Sequence, residues 1–144
     1  MSDQSYASHT RFYPPFHFVL IPALIAGIGG AVENLRQSQG DHDRLYSASL
    51  LMLVTVALVL IALFSRQFAL KAQDRAIRAE ENLRHFVLTG KLLDPRLTVS
   101  QVVGLRFASD AEFAGLAQRA AESGMSNKDI KKAVTQWRAD HNRV

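Results

Sequence analysis

The chain has no cysteine. This single absence excludes disulfide scaffolds, Cys-ligated zinc, iron–sulfur clusters and thiol nucleophiles. Proline is also scarce. Of four in 144 residues, three stand at positions 14, 15 and 22 and the last at 95, which leaves a long interior where nothing breaks a helix. Charge is missing in two places. Residues 12–32 and 45–65 contain no Asp, Glu, Lys or Arg, and each window is 21 residues long. One helical crossing of a bilayer needs roughly 20. A mean hydropathy of zero over the chain conceals this segregation. A soluble domain is therefore not the expected class, and the length leaves no room for a large multidomain enzyme.

Residues 45–65 are apolar on every face, and the Ser and Thr hydroxyls among them can bond to the carbonyls of the preceding turn. The window is too long for a buried core helix and reads as a transmembrane helix. Residues 12–32 are interrupted by prolines. Pro14 and Pro15 suit a helix start, and Pro22 predicts a kink about two turns in. Small residues follow at a spacing of four, Ala23, Gly27 and Ala31, with Ala26 and Gly30 alongside. Such residues let helix backbones approach closely in lipid. Gly29-Gly30-Ala31 has the small side chains of a signal-cleavage site after Ala31. His17, Pro22 and a leading segment whose one basic residue is Arg11 favour an uncleaved anchor.

Arg36 and Arg44 in residues 33–44 are offset by Glu33, Asp41 and Asp43, whereas Arg66, Lys71, Arg75 and Arg78 follow the second window with one acid, Asp74. Lys and Arg mark the cytoplasmic side. The expected localisation is the bacterial inner membrane with both termini in the cytoplasm and the loop outside or in the periplasm. Residues 66–89 contain neither Pro nor Gly, and Gly90 is placed to end the helix. Ala69, Ala72, Ala76, Ala79, Leu83 and Phe86 are spaced 3-4-3-4-3, the a/d seam of a coiled coil. The same repeat counted backwards gives Ala62 and Ser65, Thr55 and Leu58, and Ala48 and Leu51. The seam suits either the chain's own downstream helices or other copies of the chain.

Past Pro95, Thr98-Val-Ser-Gln101, Ser109-Asp-Ala-Glu112 and Ser126-Asn-Lys-Asp129 are capping boxes, and Gly124 is placed to close the middle helix. Val99, Val102, Val103 and Phe107, then Phe113, Leu116, Ala117 and Ala120, then Ile130, Val134 and Trp137 recur at helical spacing as core faces. The predicted fold class is all-α: a two-helix transmembrane hairpin, second helix extended into the cytoplasm, followed by a small three-helix module. The divisions are residues 1–11 (cytoplasmic), 12–32 (first membrane helix), 33–44 (external loop), 45–65 (second membrane helix), 66–90 (helical extension) and 91–144 (module).

Three stretches carry a resemblance: Thr10-Arg-Phe-Tyr-Pro-Pro-Phe-His-Phe18, Leu105-Arg-Phe-Ala-Ser-Asp-Ala-Glu-Phe113, and Ser126-Asn-Lys-Asp-Ile-Lys-Lys-Ala-Val-Thr-Gln-Trp-Arg-Ala-Asp140. With them the chain resembles an uncharacterised family of small bacterial membrane proteins, the DUF6526 domain of unknown function. The resemblance spans nearly the whole chain. It implies a two-helix inner-membrane protein with a cytoplasmic helical tail and carries over no activity and no catalytic residue.

Chemistry has few footholds. His17 and Glu33 are titratable groups near opposite ends of the first membrane helix and are the candidate membrane polar sites. Sixteen residues separate them, about 24 Å along a helix, so they do not form one site within a chain. Asp41-His42-Asp43 reads as a solvated loop cluster rather than a metal site. No nucleophile–base pair, phosphate loop or metal-binding helix spacing occurs. No enzyme activity, cofactor or metal is expected. Residues 66–144 hold 14 Lys/Arg against nine Asp/Glu. Lys128, Lys131, Thr135, Arg138 and Asn142 would form one polar stripe on the last helix; its cations Lys128, Lys131 and Arg138, with Lys132, are the candidate contacts for anionic lipid or a protein partner. Asp129 and Asp140 dilute that charge, which argues against nucleic acid.

The expected partners are thus membrane lipids, further copies of the chain and a protein partner at the module. The leading expectation is a non-enzymatic homo-oligomer that presents cytoplasmic helical modules as a scaffold or interaction platform. Its alternatives are a small ion or solute channel, for which Ser49, Thr55 and Ser65 are the hydrophilic lining, and an accessory subunit of a larger membrane complex.

Overall fold

A computed structural model describes Tyr6 and residues 13–140. Apart from Tyr6, the expected segment 1–11 lies outside the described residues, as does Asn142. The described chain is helical: a π-helix Pro15–Leu20, then α1 Ile21–Gln37, α2 His42–Thr89, α3 Val99–Leu105, α4 Asp110–Ser123 and α5 Asn127–Ala133. It divides into two compact units, one ending at Ala69 and the other beginning at Leu70, and α2 contributes to both.

In the first unit Pro22 falls in the opening turn of α1, and the six residues before α1 wind as π-helix. Pro22 has no N–H for the carbonyl four residues back, so the regular ladder cannot run through it. The expected break is therefore a change of helix type upstream of the proline. The loop is shorter than residues 33–44, because α1 runs to Gln37 and α2 starts at His42. Charged residues end the uncharged windows without ending the helices. The chain turns over residues 38–41, and Asp41 Oδ1 accepts from the Arg44 N–H at 3.1 Å, capping α2.

Two helices, Pro15–Gln37 and His42–Thr89, are long and apolar enough to cross a membrane, with mean hydropathies of 1.8 and 2.7 over their most apolar stretches. Their large side chains face outward: Ile25 is 65% exposed and Leu53 64%. Along α2 the less exposed positions to Arg66 are Leu45, Ala48, Met52, Thr55, Val59, Ala62 and Arg66, a 3-4-3-4-3-4 series. Ala48, Thr55 and Ala62 were expected on this seam. Its second line is Met52, Val59 and Arg66; Leu51, Leu58 and Ser65, one residue earlier, are exposed.

In the second unit Gly90, at φ 73°, ends α2 in the left-handed conformation, and its N–H bonds the Phe86 carbonyl at 2.8 Å. A turn follows, in which Asp94 and Arg96 pair at 2.6 Å. The hydrogen bonds from Arg96 hold the Asp94 carboxyl down at about 2. Thr98 and Gln101 form the expected capping box at α3, and Ser126 caps α5 by accepting from the Asp129 N–H. Residues from α3, α4 and α5 then close one core around Leu105, Phe107, Phe113, Leu116 and Ile130, none more than 1% exposed. Leu97, Leu105 and Ala108 join it beyond the expected faces. A Cβ at Gly104 would come within 3.2 Å of the Asn127 carbonyl oxygen, so α3 and α5 meet through a residue without a side chain.

The last helix departs most from expectation. It stops at Ala133, and Val134 is extended. Trp137 instead forms an isolated antiparallel bridge with Ala108, with Arg138 N–H donating to the Phe107 carbonyl at 2.8 Å. The cause is Glu112. Its carboxylate accepts from the Thr135 N–H and hydroxyl at 3.1 and 2.6 Å and from the Gln136 N–H at 3.1 Å. Backbone donors that would continue α5 are spent there, and the β-branched pair Val134-Thr135 favours extended backbone over helix.

Candidate functional site

The predicted polar sites in the first unit stay apart. His17 lies in the π-helix with Nδ1 2.9 Å from the Tyr13 carbonyl oxygen and its ring edge-on to Phe16. Glu33 is exposed, accepts from Gln37 Nε2 at 2.7 Å and pairs with Arg36 at 3.3 Å. Each is tied within its own turn. Of the small-residue stripe, Ala31 is buried and Gly27 faces Thr55, whose Cγ2 a Cβ there would meet at 3.8 Å. Ala23 is exposed, and a Cβ at Gly30 would touch nothing within 4 Å. The hydroxyls read as a channel lining bond their own helix: Ser49 donates to the Tyr46 carbonyl and Thr55 to the Leu51 carbonyl.

The seam expected on the extension is exposed throughout: Ala69, Ala72, Ala76, Ala79, Leu83 and Phe86. The chain's own downstream residues use a different face of α2, carrying Ile77, Glu81, Arg84 and His85. Arg84 turns to Glu81 and Asp110 rather than to Glu80 four residues before it. The predicted cationic stripe is divided by the end of α5. Lys128 and Lys132 are exposed on the helix, Lys131 stands 5.5 Å from the centre of the Phe107 ring, and Arg138 lies on the extended segment facing Glu81 at 3.6 Å.

What sequence reading missed is a charged cluster centred on Glu81. The Glu81 side chain is 7% exposed, and its Oε2 accepts from Arg84 Nη1 at 2.9 Å. Arg84 also donates from Nε to Asp110 at 2.7 Å and from Nη2 to the Ala108 carbonyl at 2.7 Å, while its guanidinium lies 4.3 Å over the Phe113 ring. Arg84 thus joins α2 to the start of α4 and to the bridge residue Ala108. Burial pushes the Glu81 carboxyl above its ordinary value, against the lowering effect of Arg84 and Arg138. Beside it a cavity of about 440 Å³ is lined by Gln73, Ile77, Glu80, Arg106, Arg138 and Asp140. Arg106 and Asp140 approach to 3.3 Å on its wall.

Glu112, expected only in the capping box at the start of α4, also holds Thr135 and Gln136, and that role was missed. Burial raises its carboxyl, but hydrogen bonds from Thr135, Gln136 and Ser109 outweigh this and hold it below the ordinary value. Among the described residues no three His, Asp or Glu converge as metal ligands. The cluster's chemistry is that of an ionic latch: one buried carboxylate, one guanidinium bonded through all three nitrogens and a second arginine at the rim.

Fold and cluster together define an all-helical protein with two apolar helices of membrane-crossing length and a charge-latched helical core. The chain belongs to the family of unknown function DUF6526, whose model matches residues 1–144. No curated protein and no solved structure matches it.

Proposed function

We propose that the chain is a non-enzymatic integral protein of the bacterial inner membrane. In this reading α1 and the first half of α2 form a transmembrane hairpin with both termini in the cytoplasm. The rest of α2 leaves the bilayer as a stalk bearing the three-helix module α3–α5. Copies self-associate and present the modules as a scaffold or interaction platform.

The observation that carries the reading is the outward placement of large apolar side chains on both long helices, typified by Ile25 and Leu53. Water does not tolerate a continuous surface of that kind, whereas lipid does. The contacts of Gly27 with Thr55 and of Phe16 with Arg66 support the hairpin, since partners at 27 and 55 and at 16 and 66 run in opposite directions along the chain. Self-association is supported by the exposed Leu83 and Phe86, which lie beyond the uncharged window and face away from the chain's own core.

Native mass spectrometry of the detergent-solubilised full chain tests this. An oligomer retaining lipid is the expected result; a lipid-free monomer would overturn it.

A further inference from the structure

We propose that the exposed a/d face of α2 over residues 72–87 docks a second copy of the chain in parallel and in register, with Arg75 of each copy opposite Glu80 of the other. The inference rests on the self-association proposed above and adds its orientation and its charged contacts.

Three observations converge on that face. Leu83 is 63% exposed, Phe86 50% and Val87 75%, so this is a patch of large apolar side chains as well as a run of alanines. The chain's own core cannot cover it. With Ala76 and Leu83 at a and Ala79 and Phe86 at d, Glu81 falls at f, the position farthest from the seam. Glu81 is the residue buried under Arg84 and Arg138. One face of α2 is therefore fully engaged within the chain while the opposite face is open.

Charge identifies the occupant. In the same repeat Arg75 is at g and Glu80 at e, five residues later. Both are exposed, and neither makes an ion pair within the described residues. A g residue meets the e residue five positions on in the neighbouring helix when two helices run in parallel. In an antiparallel pair g faces g and e faces e. Arg75 would then meet Arg75 or Asn82, and Glu80 would meet Glu80, Gln73 or Val87, with no opposite charge available to either. Two copies inserted in the same membrane with the same topology also enter the contact already aligned.

Because the chain has no cysteine, each introduced thiol is the sole one in its chain. Leu83→Cys in the full-length protein, kept in membranes and mildly oxidised, is expected to form disulfide-linked dimers about tenfold faster than Arg78→Cys on the flank, because a disulfide needs Cα atoms roughly 4.4–6.8 Å apart. Arg75→Glu is expected to weaken association about fivefold, from two exposed pairs turned repulsive, and Arg75→Glu with Glu80→Arg to restore it. Cross-linking only between Ala72→Cys and Leu83→Cys chains would show an antiparallel pair and overturn the proposal. So would a double variant as weak as Arg75→Glu. An oligomer that persists in native mass spectrometry without the Leu83→Cys cross-link refutes this interface alone; a monomer refutes self-association as well.

Discussion

Leu53 and Leu116 are the same side chain on the same kind of secondary structure, yet the first is 64% exposed and the second 1%. The difference lies in their neighbours. α4 alternates Phe113, Leu116, Ala117 and Ala120 with Glu112, Gln118, Arg119 and Glu122, so it has one face for a core and one for water. The stretch around Leu53 has no polar face to turn outward, and one neighbouring helix offers too little surface to cover it. An amphipathic helix closes its core within the chain, whereas a uniformly apolar one needs a different solvent.

The sharpest way to break that contrast is truncation on each side of it. Phe113→Ala empties a fully buried site and is expected to lower stability by about 4 kcal/mol. Leu53→Ala should change little. The lone tryptophan, Trp137, its ring tilted against that of Phe107 at 4.9 Å, reports unfolding of the second unit by fluorescence. An equal loss in both variants would dissolve the distinction.

Next in size is the latch. Arg84→Leu leaves Glu81 buried beside only the more distant Arg138, with an expected loss of about 3 kcal/mol in the same assay. Glu112→Ala releases Thr135 and Gln136 and is expected to cost about 2 kcal/mol, limited by partial solvent access, with amide exchange at those two residues accelerated. The two carboxylates should also differ in sign with pH. The depressed Glu112 contributes stability above about 4.5, and this is lost as pH falls through its folded-state value. The raised Glu81 contributes stability that is full below about 4.5 and is lost as pH rises through its own. Melting temperatures of Glu81→Gln should therefore gain on wild type as pH increases, and those of Glu112→Gln should fall behind.

The smallest effect compares two glycines. Gly104→Ala forces a Cβ against the Asn127 carbonyl oxygen and Ile130 and is expected to lose about 1 kcal/mol. Gly27→Ala makes an ordinary contact with Thr55 and should leave the helix pair intact. Thermal melts of both variants suffice to check this.

Much of the architecture was legible in residue pattern. Uncharged length marked both apolar helices, Gly90 and Gly124 marked helix ends, and hydroxyl caps marked the starts of α3 and α5. These are signals carried within a few residues. The errors arose where distant residues decide. Val134, Trp137 and Arg138 fit a helical wheel, but Glu112 captures the backbone behind them from 23 residues away. The alanines of α2 suited either the chain's own helices or other copies, and the chain's own residues pack on another face. The face used within the chain is polar, and Glu81 and Arg84 on it gave no local sign of burial. Their partners, Asp110 and Arg138, are brought near only by folding. The candidate site was accordingly invisible to spacing arguments, although Leu105-Arg-Phe-Ala-Ser-Asp110 contains both Arg106 and Asp110.

Alkaline washing of cell membranes followed by high-speed centrifugation separates a chain embedded in lipid from one adsorbed to its surface. The full-length chain is expected to stay with the lipid pellet and to enter solution only with detergent. A folded chain in the supernatant, with Trp137 still in its native environment, would contradict it.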